Sequence, residues 1–235
     1  MTGARVVLTG AAGAIGSSIR PTLAARWDLV ATDRHPADGV EVLDVTDGGA
    51  CRLAFAGADA VVHLAAVPDP TASWEELLPA NVVGAYEVAV AAAAAGVRRL
   101  VLASSLQAVS ADPPDRQLRS DDPPRPANLY GATKAWAEAL GSWVAATSAT
   151  SVVALRIGSF GSAPPSGAGV TPRDLAAWLS PRDCAELVRA AVEGPVDRFA
   201  VVNGVSANRY RKAEHGPAEG RLGYAPVDDA WPALG

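Results

Sequence analysis

The chain reads as an α/β protein built on a doubly wound parallel sheet, and three features predict it. Strand-like runs at 6–9, 29–32, 40–43, 60–64, 100–103 and 152–157 alternate with helix-like stretches, the β-α-β order that a parallel sheet requires. Several runs are apolar throughout instead of alternating, as expected when helices cover both faces of the sheet. A glycine-rich turn, Thr9-Gly10-Ala11-Ala12-Gly13-Ala14-Ile15-Gly16, joins the first strand to the first helix.

The remaining elements follow in order. The second strand ends at Asp33-Arg34 and the third at Asp44-Val45. An alanine-dominated run at 88–95 ends at Gly96, which reads as a tightly packed helix with its stop signal, too short and too small-residued to cross a membrane. Pro and Gly cluster at 112–126 and 158–172, each after a strand's carboxyl end, where ligands bind in open α/β sheets. Beyond Ser180 a helix signal at 182–192 and a strand signal at 199–202 precede a weakly periodic end. The expected organisation is one domain, 1–235, with 1–157 mainly binding a dinucleotide and 158–235 mainly capping the substrate side.

At 235 residues, with 49% hydrophobic against 19% charged residues, the chain can bury a large core. A formal charge of −5 without a basic run disfavours nucleic acid as a partner, and Arg209, Arg211 and Lys212 are too few to reverse that. Cys51 and Cys184 lie far apart without a ligand pattern, so they read as small buried hydrophobes and no metal is expected. Met1 is followed almost directly by a strand, leaving no room for a signal segment; the expectation is a cytoplasmic protein. Trp136, Trp143, Trp178 and Trp231 read as core, and His63 as a structural strand-end residue.

The chemistry begins with Tyr130 and Lys134, four apart and therefore on one helix face. A phenol with a reference pKa near ~10 is a poor base at neutral pH, and an ammonium one turn away favours its phenolate. That pair suits transfer of a proton to or from an alcohol, although the spacing alone also fits an exposed helix face. The glycine-rich turn has the strand-to-helix context of a dinucleotide fingerprint: glycines admit pyrophosphate to the backbone and the helix N-terminus offers unpaired N–H groups. Asp33 stands near the roughly 20-residue interval at which an acid meets the adenosine ribose. Its carboxylate favours NAD over NADP, while Arg34 beside it keeps NADP open, and a plain turn residue is the alternative. Asp44 and Val45 touch the adenine edge, or Asp44 caps a helix.

Together these residues resemble the extended short-chain dehydrogenase/reductase family: the glycine motif, Asp33, Asp44, His63-Leu64-Ala65-Ala66, Asn81, Ser105, and Tyr130 with Lys134. The later segments Leu155-Arg156-Ile157-Gly158-Ser159, Arg173-Asp174-Leu175, Ser206-Ala207-Asn208 and Leu222-Gly223-Tyr224 are similar to uronate dehydrogenases, which oxidise a cyclic uronic acid at its anomeric carbon to a lactone. The resemblance implies a Rossmann fold with NAD held by Gly10, Gly13, Ala14, Ile15, Gly16, Leu64, Ala65, Ala66 and Ile157. It implies Tyr130 as acid/base, Lys134 as its activator and ribose ligand, and Ser105 as donor to the reacting oxygen. Asn81 would bend its helix and hold a proton-relay water, or cap a helix. Arg173 would grip a carboxylate, or stand as a solvated helix-start residue, and Ser159 would face substrate. A homodimer formed by pairing two helices follows by analogy.

The departures fall at the substrate. Pro68, Leu106 and Gln107 stand where uronate dehydrogenases carry polar groups that hold sugar hydroxyls. Buried hydroxyls left without partners cost about 1–3 kcal/mol each. The expectation is therefore a nicotinamide-dependent oxidoreductase, a ketoreductase or dehydrogenase, whose small substrate is less hydroxylated than a free uronic acid. A true uronate dehydrogenase, a nucleotide-sugar epimerase or dehydratase, and a non-catalytic nicotinamide sensor are the alternatives.

Overall fold

A computed structural model of the chain describes residues 3–113 and 115–231. Seven strands form one all-parallel sheet: β1 Arg5–Thr9, β2 Asp28–Asp33, β3 Glu41–Val42, β4 Ala60–His63, β5 Arg99–Ser105, β6 Ser151–Ile157 and, later in the chain, β9 Phe199–Gly204. Their order is β3-β2-β1-β4-β5-β6-β9, so the chain reverses direction across the sheet between β1 and β4. A crevice at that reversal is where such sheets bind ligands. Two short strands, β7 Ser159–Phe160 and β8 Trp178–Leu179, pair separately beyond β6.

Alternate strand residues feed two cores. Val6, Leu8, Ala60, Val62, Val101, Val153 and Leu155 pack with α1 Ala14–Ala24 and α7 Pro181–Glu193. Val7, Val61, Leu100, Leu102 and Val152 pack instead against α2 Gly48–Ala54, α4 Ala85–Ala94 and α5 Leu129–Thr147. Both faces are thus covered, which is why the strands are apolar without alternation.

Three expectations need correction. The region after Ser180 is not mainly a cap: α7 and β9 complete the sheet and one of its cores, because their apolar faces match it. The alanine-rich run belongs to a longer helical stretch, Trp74–Ala94, which joins α3 Trp74–Leu77, a π-helical segment Leu78–Gly84 and α4. By length and composition that stretch is apolar enough to cross a membrane, yet α4 packs on α2 and α5 within the fold. Trp136 and Trp143 lie on the exposed side of α5, whereas Trp178 is buried.

A buried ion pair anchors the carboxyl edge. Arg156 on β6 donates from Nε to Glu138 Oε1 at 2.8 Å and from Nη2 to Oε2 at 2.9 Å, and both side chains are almost fully buried. Ser104 on β5 donates to Glu138 Oε1 at 2.6 Å, and Arg156 also reaches the carbonyls of Arg119 and Asp122. Removing one member leaves the other's charge buried and unpaired, at about 3–5 kcal/mol. Glu138→Ala is accordingly expected to lower the unfolding free energy by that amount, measured by urea titration. A change under about 1 kcal/mol would show that the pair does not brace the edge.

Candidate active site

The crevice opens where β1 and β4 end. Gly10 adopts φ +75°, and a Cβ there would lie 2.5 Å from the Ala65 nitrogen, so only glycine lets the turn pass this closely beneath the end of β4. A Cβ at Gly16 would collide with the Gly10 carbonyl, so both positions hold the turn in its tight form. Gly13 precedes α1 as its N-cap with no side-chain cap, leaving the helix's first N–H groups without one. This cradle fits a pyrophosphate.

From the turn the groove runs in two directions. One lobe, about 350 Å³, is lined by Asp33, Arg34, Asp44, Val45, Ala65 and Ala66. Asp33 accepts from the Ala12 and His35 amides at 3.1 and 3.0 Å, which fixes its carboxylate at the groove. Arg34, also in the lining, donates from Nε to His35 Nε2 at 3.0 Å. Asp44 binds Thr46, while Asp47 caps α2; the helix-cap alternative for Asp44 therefore falls. Hydrogen bonds from the Thr46 amide and hydroxyl hold the Asp44 carboxyl below its ordinary pKa.

The other lobe, about 400 Å³, brings together Tyr130, Lys134 and Ser105. Tyr130 and Lys134 share the buried face of α5, whose N-cap Asn128 accepts from the Gly131 amide at 2.7 Å. Gly131 is required there, because a Cβ would strike the Gln107 carbonyl in the 3₁₀ turn Leu106–Val109. Lys134 donates from Nζ to the Ala103 carbonyl at 2.9 Å and stands 5.5 Å from the centre of the Tyr130 ring. Burial pushes Lys134 down to about 8. Burial also raises Tyr130, opposed by a hydrogen bond with Ser105. Desolvation is the larger of these two influences, so the phenol stands above its ordinary pKa. His63 bonds Thr9 Oγ1 at 2.8 Å, and burial, reinforced by the Lys134 charge, pushes it down to about 3, so it stays neutral and structural.

Gly10, Gly13, Ala14, Ile15, Gly16, Leu64, Ala66 and Ile157 line this lobe with Ser105, Pro68, Gln107 and Ser159. Three sequence-predicted residues lie elsewhere. The Asn81 side chain bonds both backbone groups of Val67 and the Thr133 hydroxyl, so it ties the segment after β4 to α5. It neither caps a helix nor stands in a regular one, since it lies within the π-helical segment. Leu106 packs in a small cluster with Val109, Leu118, Val205 and Ala213. Arg173, exposed near the start of α6 Pro172–Ala177, lines a different cavity. Sequence reading missed Pro70 and Phe160 in the wall, and the Ala103 carbonyl that orients Lys134. Phe160 directly follows Ser159, so its position was the one available signal.

Residues 6–204 match the family described as the NAD dependent epimerase/dehydratase family. The L-arabinose 1-dehydrogenase (NAD(P)(+)) of Haloferax volcanii is 36% identical over 249 residues, covering 97% of this chain and 98% of that protein. The NAD-dependent glucose-6-phosphate dehydrogenase of the same organism is also 36% identical, covering 96% and 94%. A solved structure of a mutant uronate dehydrogenase from Agrobacterium tumefaciens complexed with NAD superposes with a TM-score of 0.87 at 31% identity, covering 97% of this chain and 86% of that one.

The placement of Lys134 beside the phenol has a pH signature. A positive charge favours the phenolate, so its loss must raise the pH at which Tyr130 accepts a proton. Lys134→Met is expected to move the rising limb of the kcat/KM profile for alcohol oxidation upward by about one to two pH units. An unmoved limb in that profile would rule out electrostatic coupling between the two side chains.

Proposed function

The chain belongs to the NAD dependent epimerase/dehydratase family, and from that premise we propose that it oxidises a neutral cyclic sugar at its anomeric carbon, reducing NAD. The observation that carries this reading is the gathering of Tyr130, Lys134 and Ser105 in the lobe that continues from the glycine cradle. NAD, when bound, supplies the hydride acceptor. Tyr130 takes the hydroxyl proton at its phenolic oxygen, Ser105 holds that phenol and the reacting oxygen, and Lys134 stabilises the phenolate as it forms. Asp33 at the adenosine lobe supports NAD over NADP, since a carboxylate repels a 2′-phosphate.

The walls support a sugar without the carboxylate of a uronic acid, a more highly hydroxylated ligand than the sequence led us to expect. Pro68, Pro70 and Phe160 offer no side-chain donor, and the Gln107 amide oxygen is taken by Asn128 at 3.0 Å. Arg173, the carboxylate ligand that the resemblance implied, lines another cavity. A pentose in its pyranose form keeps the four ring hydroxyls of a uronic acid but lacks its carboxylate, and a relative of nearly equal length is named for L-arabinose. The proposal includes a cytoplasmic site of action and a homodimer. Leu129, Trp136 and Trp143 recur on α5 at seven-residue intervals, beside the exposed Val83 and Tyr86 of the neighbouring helical stretch. Such a stripe supports pairing with a second copy.

The test is a substrate panel with NAD: kcat/KM for L-arabinose or another neutral pentose is expected to exceed that for glucuronate and galacturonate by about tenfold or more. Preferred oxidation of either uronate would overturn the substrate reading. Tyr130→Phe is expected to lower kcat by roughly 10²–10⁴ with NADH affinity unchanged. For assembly, Trp136→Glu with Trp143→Glu is expected to convert a dimer to monomer in sedimentation velocity. A wild-type monomer at micromolar concentration would end that part of the proposal.

A further inference from the structure

A chain of hydrogen bonds leads from the backbone of α5 to the wall of the Tyr130 cleft. Asn128, the N-cap of α5, accepts from the Gly131 amide through Oδ1 at 2.7 Å. A backbone N–H can only donate, so this bond decides which end of the Asn128 amide is oxygen. Asn128 Nδ2 in turn donates to Gln107 Oε1 at 3.0 Å. The Gln107 amide is thereby oriented as well, because an amino group must meet an oxygen. Gln107 lines the lobe that holds Tyr130, Lys134 and Ser105, and its Nε2 has no hydrogen-bond partner among the described residues.

The backbone of Gln107 is held from both sides. Its amide donates to Ser105 Oγ at 3.2 Å, and its carbonyl accepts from the Ser110 hydroxyl at 2.9 Å. Ser110 Oγ also accepts from the Ala127 amide at 3.0 Å, which ties the 3₁₀ turn Leu106–Val109 to the segment leading into α5. Among the described residues, Gln107 is the one side-chain amide in the wall of this lobe. The hydroxyls of Ser105, Tyr130 and Ser159 can each donate or accept, but an amide held by its oxygen can only donate.

We propose that Asn128 is a positioning residue that holds Gln107 as a fixed hydrogen-bond donor to one ring hydroxyl oxygen of the substrate. The inference rests on the reading of the cleft as the site of a neutral cyclic sugar. Ser105 and Tyr130 hold the anomeric oxygen, so the hydroxyl that Gln107 meets is another one on the ring. It is met as an acceptor. A neutral amide suits a neutral hydroxyl, whereas a carboxylate is bound more strongly by a charged donor.

Asn128→Asp tests the orientation. Aspartate caps a helix about as well as asparagine, so Tm is expected to stay within about 2 °C of wild type. Its carboxylate only accepts, so Gln107 must turn its amino group toward residue 128 and its oxygen toward the lobe. A sugar hydroxyl can answer that reversal by donating; a fluorine in its place accepts weakly and cannot donate. The probes are L-arabinose, or the neutral pentose that wild type prefers, and its 2-, 3- and 4-deoxyfluoro derivatives, with kcat and KM measured for each. For one derivative, the loss of kcat/KM in Asn128→Asp is expected to exceed the loss for the parent sugar by roughly tenfold, carried by KM. Comparing two proteins on one probe cancels the inductive effect of fluorine on hydride transfer. In a Gln107→Leu background, which has no amide to turn, the same substitution is expected to lose this selectivity. An equal loss for all four sugars, or a selective loss that persists without Gln107, overturns the positioning role alone. If wild type oxidises no neutral pentose, the sugar reading and this inference fall together.

Discussion

The geometry at the carboxyl edge depends on one buried interaction, the pairing of Arg156 with Glu138. Glu138 lies one helical turn beyond Lys134, which lies one turn beyond Tyr130, so all three share the buried face of α5. Arg156 immediately precedes Ile157, and Ser104 immediately precedes Ser105. The ion pair with its Ser104 hydrogen bond therefore connects β5, β6 and α5 directly behind Tyr130, Lys134 and Ser105. Burying two charges costs desolvation that their attraction roughly repays, so the benefit lies in a defined geometry more than in net stability. A hydrophobic substitute could fill the space but would not fix the rotation of α5 against the two strands.

The cofactor half of the groove rests on a different constraint, the near contact of backbone with backbone. Gly10 passes beneath the end of β4 and Gly16 packs against Gly10 itself. The absence of side chains brings the start of α1 and the end of β4 together at the point where strand order reverses. Asp33 is then held from two sides by the Ala12 and His35 amides. One short segment thus positions both the phosphate cradle and the acid at the adenosine lobe.

Charge is distributed unevenly around this framework. In the cleft, burial raises the Tyr130 phenol above its ordinary pKa and lowers Lys134 to about 8, which leaves the lysine mainly charged at neutral pH. Five cationic residues, Arg116, Arg173, Arg209, Arg211 and Lys212, line a separate cavity on the far side of α6. Arg173, retained where the chain resembles enzymes of acidic sugars, lines the cavity beside α6 and not the Tyr130 cleft.

The sequence by itself determined what depends on near neighbours in the chain. The strand runs, the glycine turn, the Asp33 position, and the shared face of Tyr130 and Lys134 are set by periods of two and 3.6 residues and by the steric demands of glycine, all of which act over a few residues. Tertiary structure decided what depends on the direction in which a side chain leaves its element. Leu106 turned into a cluster, Arg173 faced away from the cleft, Asn81 was claimed by Val67 and Thr133, and Trp136 and Trp143 faced outward. The basic cavity belongs to the same group, since Arg116, Arg173 and Arg211 line it only after three remote segments pack together. Local sequence carries no information about which remote surface will be there to receive a side chain, and that choice falls to the packing of the whole fold.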